Sequence, residues 1–262
     1  MKIPWPVRYI PTYTFKAWLT PPPMSARVME RDRAATADLT PFLTGSHTGF
    51  EVGSGPLVLA LHGWGGRPAQ MAPMARRIAS GGFRVVVPEL PGHAGGEATD
   101  IKQAAAAIHA LIDQLGMPSL VVGHSFASMV MRLAFADEHP DRIVLVAPAL
   151  NVHDALDVFG DRLGLMPWAR RGLRRRLEAW DPRLWPTVSS LLPDQFPGAE
   201  VLLVHDPEDV DAPFSRSAEL AALRPQTSLH VVTNVGHSKI LSDPDVLEGV
   251  SKWVEQVLAA GV

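Results

Sequence analysis

Residues 119–135 read SLVVGHSFASMVMRLAF. A short apolar run, a Gly-His-Ser corner and then apolar residues spaced for a helix spell strand, sharp turn and helix in immediate succession. Ser125 at that corner has two readings: a nucleophile held on a tight turn, or a serine capping the helix that follows. The pattern G-H-S-F-A departs from G-x-S-x-G by Ala127 in place of the last glycine, and so short a pattern recurs by chance. Gly123 and Ala127 still flank the serine with small side chains, which lets the turn close.

Working outward, short β-branched runs at 57–61 (LVLAL), 83–87 (FRVVV), 119–122 (SLVV), 142–147 (RIVLVA), 200–205 (EVLLVH) and 228–232 (SLHVV) read as buried strands. Helical patterns lie between most of them. Ile101, Ala104, Ala105, Ile108, Leu111, Ile112 and Leu115 recur at helical steps, as do Val246, Val250, Trp253, Val254 and Val257. This βαβ rhythm predicts an α/β fold with a mostly parallel, doubly wound sheet. Ligands of such sheets bind at the carboxyl ends of the strands. Four of those ends carry chemistry: HGWGG at 62–66, GHSFA at 123–127, DPEDVD at 206–211 and TNVGHSK at 233–239. A serine hydroxyl needs a base to take its proton and a third group to hold the base. His237 and one of Asp206, Asp209 and Asp211 follow Ser125 in the order Ser, Asp, His, which is the order of one known fold.

On these residues the sequence resembles the α/β-hydrolase superfamily, as a serine, esterase-like member. The matching elements are HGWGG at 62–66, VVVPELPGH at 85–93, GHSFA at 123–127, HDPEDVDAP at 205–213 and GHSKIL at 236–241. The resemblance implies a Ser125, Asp209, His237 triad, with an oxyanion hole formed by the backbone N–H groups of Trp64 and Phe126. It also implies that His62 braces the loop carrying Trp64, whose indole either lines the acyl pocket or packs in the core. Asp209 is singled out by its spacing to Pro213, which matches the family's H-G-x-x-D-x-x-V-P pattern with Asp206 for the glycine and Ala212 for the valine. Asp206, next to Pro207, is expected to shape the turn, and Asp211 to cap the next helix. A serine at position 125 separates the chain from relatives with an aspartate nucleophile, such as haloalkane dehalogenases and epoxide hydrolases.

The expected organisation is an N-terminal arm with the first strands at 1–50, a hydrolase core at 51–148 and 199–262, and a helical lid at 149–198, inserted after strand six. Prolines at 4, 6 and 11 predict an extended arm over residues 1–25. Its aromatics, Trp5, Tyr9, Tyr13, Phe15 and Trp18, are expected to pack on the body of the protein, the alternatives being a pocket cover or a lipid interface. In the lid, Val152, Ala155, Leu156, Phe159 and Leu163 form one apolar face and Leu173, Leu177 and Trp180 another. Arg170, Arg171, Arg174, Arg175 and Arg176 read as a solvated face in preference to a site for anions or a membrane surface.

Composition narrows the function. The 262 residues, 47% hydrophobic and 19% charged, can bury a large core, and a net charge of −3 gives no basic surface for nucleic acid. There is no cysteine, hence no disulfide framework or thiolate metal site, which fits a cytoplasmic location. No segment has the length of a transmembrane span or the core of a signal peptide. His62, His93 and His124 lack a metal-ligand spacing. Gly63 and Gly65 follow a strand as in a dinucleotide fingerprint, with Glu89 in the place of a ribose ligand, but Pro68 replaces the third glycine and Ser125, Asp209 and His237 stay unexplained. The expected activity is that of a cofactor-free and metal-free carboxylesterase, cleaving a small or medium ester through an acyl-enzyme. Thioesterase, amidase and carbon–carbon bond hydrolase chemistry would use the same residues, and a slow-turnover binding protein is the alternative outside catalysis.

Overall fold

The computed structural model describes residues 5–93, 95, 97–189 and 195–260, with side chains from 12 to 256. Eight strands form one sheet: β1 (Thr40–Thr44), β2 (His47–Gly53), β3 (Leu57–Leu61), β4 (Arg84–Pro88), β5 (Leu120–His124), β6 (Arg142–Val146), β7 (Glu200–His205) and β8 (Thr227–Val231). Their order is β1-β2-β4-β3-β5-β6-β7-β8, antiparallel at β1, β2 and β4 and parallel from β4 onward. All six strand expectations fall on strands, and the mostly parallel sheet is as expected. SLHVV differs in burial, because β8 closes the sheet and leaves Val231 about half exposed. Residue 50 lies inside β2, which pairs with β4.

Alternation along each strand divides the core. Val58, Ala60, Val85, Val87, Val122, Val144 and Val204 pack on one face under α3 (Pro68–Ala79) and α10 (Pro244–Ala260). Leu59, Leu61, Val86, Val121, Ile143, Leu145 and Leu203 pack on the other under α4 (Ile101–Leu115), α5 (Ala127–Ala134) and α9 (Phe214–Leu223). A strand covered on both faces has no polar side to show, which is why these runs are continuously apolar.

The N-terminal region corrects the expectation of an extended arm. Residues Trp5–Trp18 form a helix, α1, followed by α2 (Ala26–Ala35). Pro6 stands in the first turn, where no intrahelical N–H is needed, so only Pro11 costs the helix a hydrogen bond. Packing against α7 (Pro167–Trp180) offsets that loss: Phe15 meets Trp180 edge-on at 6.0 Å and the Arg176 guanidinium lies 4.8 Å from the Phe15 ring. Tyr13 is exposed, and the side chains of Trp5 and Tyr9 lie outside the described residues.

Between β6 and β7 stand α6 (Val152–Arg162), α7 and α8 (Leu184–Ser189). Leu156, Leu173 and Leu177 are buried together as their spacing predicts, while Leu163 is about half exposed. The arginines of α7 are less uniformly solvated than expected. Arg170 pairs with Asp161 at 2.6 Å and Arg174 with Glu178 at 3.1 Å, whereas Arg171 and Arg175 are exposed. Among the described residues no helix is long and apolar enough to cross a membrane.

Candidate active site

β5 delivers Ser125 at its carboxyl end, and the backbone there turns with φ +52°, in the left-handed region that non-glycine residues rarely occupy. The strain is over-determined by its surroundings. The Ser125 N–H donates to the Val146 carbonyl at 3.0 Å, and its own carbonyl accepts from the N–H groups of Ser128 (3.0 Å) and Ala149 (3.1 Å) and from the Ser128 hydroxyl. Glycine at position 123 leaves this turn room, because a Cβ there would lie 2.4 Å from Met131 Sδ and push that side chain aside. Ala127 is tolerated, since its Cβ stands 3.5 Å from where a Cβ at position 123 would lie, an ordinary contact. Ser125 is not the helix cap; Phe126 occupies that position, without a side-chain capping bond.

The three residues expected to form a triad are brought together. Ser125 Oγ is 2.9 Å from His237 Nε2, and His237 Nδ1 is 2.7 Å from Asp209 Oδ2. Asp209 is buried, and its Oδ1 accepts from the N–H groups of Asp211 (2.7 Å) and Ala212 (3.0 Å). Burial by itself would raise this carboxyl, but hydrogen bonds from His205 and His237 outweigh it and hold Asp209 below the usual carboxylate range. His237 Nδ1 therefore faces an anion and carries the proton, leaving Nε2 to accept from the serine.

The neighbouring carboxylates do other work. Asp206 Oδ2 accepts from the Val235 and Gly236 N–H groups, both at 2.8 Å, and so holds the loop that presents His237. Asp211 pairs with Arg162 of α6 and does not cap α9, whose capping position is Pro213. Among the described residues, Asp209, Asp211 and His237 bring potential metal-ligand atoms within 4.8 Å of one another. Both ring nitrogens of His237, both Asp209 oxygens and the Asp211 carboxylate already have protein partners.

Two buried histidines missed as site residues in the sequence complete the support. His124 donates from Nε2 to the His237 carbonyl at 2.9 Å and ties the elbow to the base loop. Burial and the nearby His237 push its pKa down to about 3, so it stays neutral. His205 Nε2 lies 3.1 Å from the Ala212 carbonyl and 3.4 Å from Asp209 Oδ2, with Nδ1 2.7 Å from the Ser217 hydroxyl. Two acceptors at Nε2 place the proton there, so Asp209 Oδ2 is flanked by two imidazole N–H donors. The available signal was position: His205 ends β7 and His124 ends β5.

His62, at the end of β3, accepts the Leu90 N–H at Nε2 (3.1 Å) and donates from Nδ1 to the Gly63 carbonyl (3.0 Å). That carbonyl also accepts the Gly66 N–H at 2.9 Å, which closes the turn under Trp64. Among the described residues, the Trp64 and Phe126 N–H groups have no protein acceptor. The Trp64 ring meets His93 and Phe126 edge-on at 5.2 and 5.1 Å. His93 is buried, which together with the nearby His62 lowers its pKa to about 4. Ser125, His237, Trp64 and Phe126 all line one cavity of about 320 Å³, whose apolar wall includes Trp18, Met129, Phe159 and Trp185.

Known proteins share this fold. A curated relative, the pimeloyl-acyl-carrier-protein methyl ester esterase of Chromobacterium violaceum, is 33% identical over 96 residues; the match spans only 37% of this chain and 37% of the relative's own length. Among solved structures, a membrane phospholipase A superposes with a TM-score of 0.65 at 17% identity, covering 96% of this chain and 93% of that one. Est1E from Butyrivibrio proteoclasticus gives 0.64 at 16% identity, covering 84% and 99%. Residues 56–216, more than half of the chain, match the model of one family, and by that match the chain belongs to the alpha/beta hydrolase fold family.

Proposed function

We propose that the protein is a serine carboxylesterase that cleaves a small or medium ester through an acyl-enzyme, with Ser125 as nucleophile, His237 as base and Asp209 as the acid that orients it. One observation carries the reading: the unbroken chain Ser125 Oγ, His237, Asp209 at 2.9 and 2.7 Å, with the serine on a strained turn facing a largely apolar cavity. Ser125 Oγ attacks the ester carbonyl carbon as its proton passes to His237 Nε2. The negative oxygen that forms is received by the N–H groups of Trp64 and Phe126, each contributing on the order of 3 kcal/mol in the transition state. His237 then protonates the departing alkoxide, and a water activated by the same imidazole releases the acid. Helices α6 to α8, within the inserted stretch expected at 149–198, serve as a lid over this centre, and the partial match to a methyl ester esterase supports a carboxylic ester as substrate. A fluorophosphonate probe should label Ser125 covalently, with loss of label in Ser125→Ala. Label that persists in that variant, or maps to Ser128, would overturn the assignment.

A further inference from the structure

We propose that Trp18 is a specificity-determining residue: the end of the N-terminal helix forms the wall that limits how long an apolar arm of the ester the cavity accepts. The proposal rests on the esterase reading and names the part of the chain that selects the substrate.

Trp18 and Leu19 line the same cavity as Ser125 and His237. Trp18 packs against both small apolar clusters of this region, Met129, Val152 and Val188 on one side and Leu156, Leu173 and Leu177 on the other. Met129 belongs to α5, the helix that follows the nucleophile, so the indole spans from the elbow to the inserted helices. Its position is held from both directions. Before it, Phe15 is fastened to α7 by Trp180 and Arg176; Trp18 itself meets the Phe159 ring of α6 edge-on at 5.2 Å. After it, the Thr99 N–H donates to the Leu19 carbonyl at 2.7 Å. The Pro22 ring lies against Gly65, 3.0 Å from where a Cβ would stand, on the turn that carries Trp64. A large, rigid side chain pinned at both ends cannot yield to a longer ligand as a free loop would. This wall precedes residues 56–216, so it is built from chain outside the family match.

The test measures kcat/KM for the full chain on nitrophenyl esters from acetate to dodecanoate and on alkyl butyrates from methyl to octyl. Trp18→Ala should move the optimum of one series to longer members, the long-to-short ratio rising about tenfold or more for each methylene newly accommodated. Trp18→Leu should fall between Trp18→Ala and the wild type. Val250→Ala, buried in α10 on the sheet face away from these helices and absent from the cavity lining, should lower Tm and keep the wild-type ratio. A uniform change across both series in Trp18→Ala, or an equal shift in Val250→Ala, would overturn the proposal while leaving the esterase reading intact. Should Trp18→Ala not fold, Trp18→Leu is judged by the same criteria. A wild type that cleaves neither series would overturn both readings.

Discussion

Behind Ser125 the chain packs two broad apolar clusters against the two faces of the sheet, whereas over the cavity α6, α7, α8 and Met129 of α5 form two small clusters of three buried residues each, against which Trp18 of α1 packs. The difference tracks the demands of each task. Hydrogen bonds of 2.7–2.9 Å between Ser125, His237 and Asp209 require a scaffold that does not give, and the ends of buried parallel strands supply it. Admitting and releasing a substrate requires the opposite, and the inserted helices, with little buried apolar area, open locally at low free-energy cost while the end of α1 stays anchored through Leu19 and Pro22. On the proposed function, chemistry belongs to the first region and selection to the second.

The comparison would break first at the triad. Ser125→Ala and His237→Ala should each lower esterase kcat/KM by about 10⁴ to 10⁶, and Asp209→Asn by about 10⁴, with little change in Tm. Parallel kinetics on Asp206→Asn and Asp211→Asn would sharpen the assignment. A larger loss at either of them than at Asp209 would transfer the role of the acid.

Acid should strike the rigid region next. His93 and His124 have folded-state pKa values of about 4 and about 3, below the unfolded value near 6.5, so the unfolded chain binds more protons between those limits. Stability is therefore full above about pH 6.5 and falls as pH drops toward the folded values, by about 2 kcal/mol for each histidine by pH 5. Urea unfolding at pH 7 and pH 5 measures this. His93→Asn, which can still donate to the Pro91 carbonyl, should remove roughly half of the difference. A stability that is flat between those pH values would contradict the neutral, buried state of both rings.

Asp206→Ala should cost about 1–3 kcal/mol, because it leaves the buried-side donors of Val235 and Gly236 without their acceptor. Since that loop presents His237, kcat should fall as well, while KM changes little. The smallest effect belongs to the outer face of α7. Arg171→Ser and Arg175→Ser should shift stability by no more than about 0.5 kcal/mol in chemical denaturation, as expected for exposed side chains.

Much of the rigid region was legible because its signals are local. Continuous apolar runs mark strands covered on both faces, and Ser125 and Asp209 each follow such a run while His237 follows the partly exposed edge strand β8, so strand ends, chain order and family spacing converge on them. The supporting residues were harder to find. His205 and His124 look like ordinary buried histidines until the loops that receive their protons, at Asp209, Ala212 and His237, are folded back over them. Among the three neighbouring carboxylates, Asp206 was read as shaping the turn, which it does by accepting the Glu208 N–H at Oδ1 (2.9 Å), but the Val235 and Gly236 N–H groups that its Oδ2 receives lie on another loop.

Sequence by itself determined the parallel sheet, the elbow at Ser125 and the helices inserted after β6, because each depends on the period or order of nearby residues, and with the family spacing it named the three side chains that the fold brings together. Only the tertiary structure decided that residues 5–18 are helical and that Trp18 walls the cavity. Proline disfavours a helix through local backbone terms of about 3 kcal/mol at an interior position, and aromatic packing against α6 and α7 outweighs them only once the distant helices are assembled. A local pattern carries no information about that partner, since more than a hundred residues of chain separate Trp18 from Phe159.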